Sequence, residues 1–504
     1  MPVARRRVRT TAVVSTAVIS PLMLVMAACT GAGPQTSGAG KRTSGAGIRA
    51  PGGSLAAASK GIWHTAREVP GTAALNEGGN AQGVSISCPS AGNCTATGGY
   101  YNASGAQQPF VVSEVNGRWR TATRVPGITA PGTGAMIWSV SCASAGNCGA
   151  GGSFTVGSQR AFVVNEVNGT WSPVVMVPGM AALSGGNAHV NSVSCASAGN
   201  CSAGGDYTDT NGAQQAFVVD EANGHWQNAI EVPGTQILNT GRTASVNSVS
   251  CAAPGNCIAG GSYMQNGLGQ QAFVASEVNG AWLTAELVPG SAKLNKGGGG
   301  VITSVSCTAP GNCGAGGSYS DASGASQALV VSQVNGVWRS AIEVPGTKAL
   351  NKGGNATVNK VSCSSAGSCT AVGAFADGPF PRQQAFVVRE VNGTWRTAVV
   401  LPGTKALNKG GSATAKSVSC PSPVSCVAAG TYTDRSGHTQ AFVAAEMNGT
   451  WRKAIEAPGS AALNRGGSTP DLVEVSCGAA GNCSAVSGYI DASRHHQAFV
   501  ISAS

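Results

Sequence analysis

Between Ser192 and Asn247 short alternating runs are separated by breaks rich in Gly and Asn. Ser192-Val193-Ser194-Cys195 alternates small polar with apolar positions. Ala198-Gly199-Asn200 suits a tight turn ahead of Cys201, because Gly and Asn adopt positive φ readily. That pattern predicts strand, turn, strand. Gln214 to Glu221 is a β-branched and aromatic run, and Asn223-Gly224 before His225-Trp226 predicts a second hairpin. Val232-Pro233-Gly234 should end the fourth strand, since Pro cannot donate to a ladder and Gly permits the bend.

Eight versions of this unit fill the chain beyond residue 60. Their first cysteines are Cys88, Cys142, Cys195, Cys251, Cys307, Cys363, Cys420 and Cys477, a period of about 56 residues. Four strands per repeat suggests propeller blades, with an open solenoid as the competing architecture. The ends of the repeat region decide between them. Gly61 to Pro70 supplies only a fourth strand, and Gln497 to Ser502 is a third strand with no fourth behind it. Joined, they complete the eighth unit and close a ring. The expected fold is therefore all-β, an eight-bladed β-propeller of four-stranded blades spanning residues 61–504.

Trp63, Trp119, Trp171, Trp226, Trp282, Trp338, Trp395 and Trp451 hold one position of the fourth strand and are expected to fill the wedge between sheets. The ninth, Trp138, lies off the pattern. Sixteen of the 17 cysteines form pairs six apart: Cys88-Cys94, Cys142-Cys148, Cys195-Cys201, Cys251-Cys257, Cys307-Cys313, Cys363-Cys369, Cys420-Cys426 and Cys477-Cys483. Each is expected to be a disulfide across a short hairpin. Zinc would want four ligands and no His stands beside these pairs in register, so no metal is expected; nor does the spacing supply a redox C-x-x-C.

Cys29 is the unpaired one. Residues 1–28 carry Arg5, Arg6, Arg7 and Arg9, then an apolar run from Thr11 to Met26, the layout of a signal peptide. Leu24-Val25-Met26-Ala27-Ala28-Cys29 resembles the lipobox of bacterial lipoproteins, which implies lipidation of Cys29 and a membrane contact through that anchor alone; ordinary cleavage after an Ala, leaving Cys29 an incidental thiol and the protein extracellular, is the alternative. Residues 29–60, rich in Gly, Ser and Ala, cannot bury a core and read as a flexible tether. The formal charge of +10 belongs mostly to this leader, because residues 1–60 hold eight of the 31 basic residues and no acid. The remaining 23 basic residues face 21 acidic ones, which gives no reason to expect a nucleic-acid partner.

In the usual propeller order, the connections after the fourth and second strands share one face; Cys hairpins and Asn-Gly turns share the other. The long connection carries Asn76, Asn239, Asn295, Asn351, Asn408 and Asn464 in register, with Lys293, Lys296, Lys348, Lys352, Lys405, Lys409 and Arg465 nearby. The shorter one adds Tyr-x-Asp, as in Tyr207/Asp209 and Tyr319/Asp321. Groups repeated in nearly every blade are expected to cap loops, although the same groups could hydrogen-bond a glycan. Departures from the repeat are better binding candidates. The connection from Ile128 to Trp138 loses Leu-Asn and gains Trp138, and Arg160 replaces a Gln. Phe380 and Arg382 sit in an altered loop, and His438, His495 and His496 fall in the last two blades.

No catalytic motif emerges. Apart from Glu77 and Glu474, the Glu residues hold repeat positions, no paired carboxylates stand out, and neither G-x-S-x-G nor a phosphate-cradling loop is present. No cofactor is expected. The composite S-V-S-C-x5-C, Q-A-F-V-V, N-G-x-W, V-P-G unit resembles repeats of secreted actinobacterial proteins of uncharacterised function and implies no activity. Ser113 to Trp119 is weakly similar to the Asp-box hairpin of sialidase propellers, keeping the Gly and Trp but lacking the Asp. The leading expectation is an exported, lipid-anchored monomer at the cell surface that binds envelope polysaccharide or a cell-surface protein. A carbohydrate-active hydrolase or lyase and a repetitive adhesive protein are the alternatives.

Overall fold

Each repeat folds into one antiparallel sheet. In the third blade the strands run Ala188–Ser197, Asn200–Thr208 and Gln214–Ala222, in that order from inside to outside. A computed structural model describes residues 61–128, 134–379, 382–468 and 473–504. Residues 1–28 and 29–60, expected to be a signal peptide and a tether, lie outside the described residues, as do the lipidation candidate Cys29 and the binding candidate Phe380. The sheets form eight blades in a ring, and the eighth is completed by the N-terminal strand Arg67–Glu68 against His496–Ala503, in the register Arg67 with Val500 and Glu68 with Phe499. The predicted closure is therefore present, and it is reinforced where Val69 N–H donates to Ala498 O at 2.9 Å.

The outer strand departs from expectation. It is two short pieces, His225–Trp226 and Ile230–Glu231 in the third blade, both paired with the third strand. The break has a cause repeated at every interface: its N–H donates to the Pro carbonyl of the preceding blade. Ala229 reaches Pro178 at 2.8 Å, Ala285 reaches Pro233 at 2.7 Å, and Ala66 reaches Pro458 at 2.7 Å across the closure. A continuous ladder would use that N–H within its own sheet. The Val-Pro-Gly segment, read from sequence as a strand terminator, thus also supplies the acceptor for the next blade. After it comes one helical turn, Thr235–Leu238 in the third blade, that was not expected; Gly234 before it has φ 87°.

A second set of links runs around the axis. An innermost strand has unpaired N–H groups on its free edge, which must find acceptors when buried. Here the hydroxyl of the Ser before the first Cys accepts the N–H of the first Cys of the next blade, as from Cys142 to Ser87 at 2.9 Å and from Cys363 to Ser306 at 2.9 Å. The series is complete in all eight interfaces, including Cys88 to Ser476 at 2.9 Å. This is the physical reason for the Ser before each first Cys; the Ser two positions earlier accepts another edge N–H of the next blade, as from Val193 to Ser139 at 3.0 Å. The Gly-Gly of the second strand is equally specific: a Cβ on Gly205 would fall 1.8 Å from His189 O, and one on Gly204 would fall 2.6 Å from the Val246 side chain of the next blade.

All eight cysteine pairs are disulfides between facing strands, with Cα atoms 3.9–4.1 Å apart. The blade tryptophans pack between sheets; Trp119 of the first blade belongs to one core cluster with Val486 and Val500 of the eighth. Seven Asn-Gly turns hold Asn at φ 49–52°, with Gly also positive, the conformation a type I′ hairpin requires.

Candidate functional site

Eight inner strands, each beside the next, surround a central channel. Four residues before the first Cys of the first seven blades the register slips, as between Val190 and Ser192. Four blades use the extra residue to reach the next blade. Asn191 donates to Val246 O at 3.1 Å, Asn247 to Ile302 O at 2.9 Å, Thr303 to Val358 O at 2.6 Å and Asn359 to Ala415 O at 2.8 Å. In the second blade Trp138 stands at this position. It is 40% exposed, and among the described residues its indole N–H meets only Ser153 Oγ, at 3.4 Å. Sequence placed Trp138 in a connection; it belongs to the inner strand Ala135–Ser144.

One residue further along, six blades carry Ser while Lys360 and Glu474 break the series. Their side chains meet at 3.0 Å, joining the sixth blade to the eighth, and the second oxygen of Glu474 accepts Ile86 N–H at 3.1 Å. Lys416 occupies the Trp138 position of the seventh blade and is half-buried. The channel therefore presents one aromatic face, a belt of amides and hydroxyls, and an ion pair. The Asn191 amide is further fixed by Asp206 at 3.0 Å and Ser245 at 3.1 Å, so this side of the channel is organised before any ligand arrives.

The repeated polar groups on the connection face are engaged by the fold. Asn239 Nδ2 donates to Gln214 O and Gln215 Oε1, both at 2.9 Å, while its carbonyl takes Thr243 N–H at 2.7 Å. Tyr207, Tyr319, Tyr432 and Tyr489 donate to Glu231, Glu343, Glu456 and Glu68. Hydrogen bonds from Ser323 and Gln327 hold Asp321 down to about 2. The loop-capping role accounts for these residues. The basic side chains are different, since Lys293, Lys296, Lys348, Lys352, Lys405, Lys409 and Arg465 are all exposed.

The remaining sequence candidates are spread over several blades. Arg160 is exposed at the start of a third strand, where it faces Phe154 in register. Arg382 is exposed and pairs with Asp377 at 3.4 Å. His438 and His495 occupy the same turn of successive blades, each with its N–H on the turn Asp, and His496 hydrogen-bonds through its backbone to Gly79. Among the described residues, no hydrogen bond or ion pair joins any of these five to another or to Trp138.

A second set of ionisable groups lies on the Cys-hairpin face, in grooves between blades. A carboxylate near the end of the third strand is buried in the first four blades and in the sixth and seventh, as Glu114, Glu166, Glu221, Glu277, Glu390 and Glu446. The preceding blade usually supplies its donor. Asn165 donates to Glu221, Ser332 to Glu390 at 2.6 Å and Ser502 to Glu114 at 2.9 Å, while Arg389 forms an ion pair with Glu446 at 2.9 Å. Between the third and fourth blades the residue in the donor position is Asp220. The linear sequence shows no paired carboxylates because the two acids belong to different repeats.

No protein-family model matches the chain, and no curated protein matches it. Among solved structures, Sqt1 of Chaetomium thermophilum is similar over 70% of this chain and 82% of its own, at 11% identity and a TM-score of 0.40. A subtype N11 neuraminidase-like protein of A/flat-faced bat/Peru is similar over 75% of this chain and 90% of its own, at 12% identity and a TM-score of 0.36. A Hadza microbial sialidase is similar over 79% of this chain and 73% of its own, at 10% identity and a TM-score of 0.35.

Proposed function

We propose that the protein is an exported, lipid-tethered propeller that binds envelope polysaccharide at the connection-face mouth of its central channel. The observation that carries this reading is Trp138, an exposed indole at the position where four other blades spend an Asn or Thr on holding the ring together. An indole face offers apolar area to the C–H face of a sugar, while neighbouring amides and hydroxyls can exchange hydrogen bonds with its hydroxyl groups. The exposed lysines on the surrounding connections favour an anionic polysaccharide over a neutral one. The Cys29 anchor and the tether of residues 29–60 would hold the ring at the outer surface of the membrane. Eight disulfides suit a protein that folds in an oxidising compartment, and no helix among the described residues is long and apolar enough to cross a membrane.

The test is capture of the oxidised full chain on an array of glycans and purified envelope polysaccharides, with each captured sugar recovered and sized. Capture of anionic polysaccharide at unchanged length is expected, weakening as salt rises. Shortened products would transfer the reading to a hydrolase or lyase. Absence of capture across the array would overturn it in favour of a protein partner.

A further inference from the structure

The groove between the third and fourth blades has a volume of about 590 Å³ and is lined in part by Ser202, Asp220, Glu221, Glu277 and Trp282. Asp220 is held rigidly, its two oxygens accepting Ser202 Oγ–H at 2.7 Å and Trp282 Nε1–H at 2.9 Å. Glu277 is only 4% exposed, and its Oε2 is buried without a hydrogen-bond partner. Leaving such an oxygen unmatched costs free energy. Burial, and then the negative charge of Asp220, push Glu277 up to about 7.

The other interfaces show what is missing. Every equivalent of Asp220 that contacts the next blade's buried Glu is a donor, whether Asn165, Ser332, Ser502 or Arg389. Between the sixth and seventh blades that donor is itself a cation, because the Arg389 guanidinium sits in the Asp220 position and neutralises Glu446. Between the fourth and fifth blades the charge is absent, because Gln333 takes the place of Glu. At the interface of the third and fourth blades the residue in the donor position is itself a carboxylate, and among the described residues Glu277 Oε2 has no donor, in a groove open to solvent.

We propose that this groove binds a divalent cation between the carboxylates of Asp220 and Glu277. The cation does for Glu277 what Arg389 does for Glu446, neutralising the buried charge and linking the two blades. Two carboxylates with the remaining positions filled by water is a ligand set suited to hard oxygen-seeking ions such as magnesium, calcium or manganese. The disulfide sulfurs nearby are not available as thiolate ligands. The ligands come from adjacent repeats, so no linear motif announces the site.

The test is isothermal titration of the full chain, stripped with EDTA and dialysed, with calcium, magnesium and manganese in turn at about pH 8, where a carboxyl raised to this extent is ionised. One saturable site is expected for at least one ion, with a rise in melting temperature on saturation. D220S copies the Ser of the fourth and fifth blades and E277Q copies Gln333, so both changes use residues the repeat already accommodates. Each should weaken binding at least about tenfold, while in EDTA both should melt no lower than the wild type. E390Q should bind as the wild type does. The proposal is overturned if none of the three ions gives heat or raises the melting temperature at about 10 mM, well above the weakest extracellular calcium sites. It is overturned equally if D220S and E277Q retain wild-type affinity.

Discussion

Complete reduction of the disulfides is expected to lower the melting temperature by about 15 °C, the sum of eight small loop closures of about 2 kcal/mol each spread over a domain this size. The reason lies in how little else holds each Cys hairpin. Its strands end in Ser, Ala, Gly and Asn, which bury little apolar area, and the inner edge is joined to its neighbour chiefly by Ser hydroxyl contacts. Without the cross-links the unfolded chain regains freedom at eight separate places while the folded state gains nothing. Calorimetry with and without a strong reductant, with free thiols counted after the scan, measures the effect. A shift under about 4 °C would mean that the sheets, and not the cross-links, carry the stability.

Removal of residues 61–70 is expected to destabilise the folded monomer strongly or drive it to aggregate. The segment pairs with His496–Ala503, places Val69 in the core between the eighth and first blades, and accepts the Tyr489 hydroxyl on Glu68 at 3.1 Å. Without it the eighth blade exposes the edge of its third strand, and Ala66 no longer donates to Pro458. An open edge of that length invites pairing with another chain. The truncated protein should therefore elute as aggregate or melt at least about 10 °C lower than the intact ring, a loss of several kcal/mol over a domain of this size. A circular permutant that joins Ser504 to Gly61 and opens in a different Asn-Gly turn should fold, since it keeps every contact of the closure. A stable, monomeric truncation would show that the ring does not depend on its closing strand.

The repeat made the scaffold legible. Alternation in Ser-Val-Ser-Cys, the Asn-Gly turns and the split eighth unit predict strands, hairpins and closure, because each rests on local backbone preference or on counting. The broken outer strand was hidden for the opposite reason. Ala229 looks like any residue of a short strand, and its break depends on a carbonyl in the preceding blade. The sites follow the same division. Trp138 stood out as a tryptophan off the register, although only the structure places it on an inner strand beside Asn191 rather than in a connection. Asp220 was invisible as an oddity, because an acid beside Glu221 reads as a solvated strand end until Glu277 of the next blade is brought against it. Lys360 and Glu474 meet across an intervening blade, a distance no local pattern encodes.

Repeat positions build the ring, departures from it are proposed to make the binding surface, and Trp138 is where those two statements can be separated most directly. The decisive measurement is titration of the captured polysaccharide into wild type and W138A, beside the melting temperature of each. The predicted result is at least a tenfold loss of affinity, about 1.4 kcal/mol or more, with a melting temperature within about 2 °C of wild type, because an exposed side chain contributes little to stability. Unchanged affinity in a folded W138A protein would contradict the assignment of the channel mouth as the binding site.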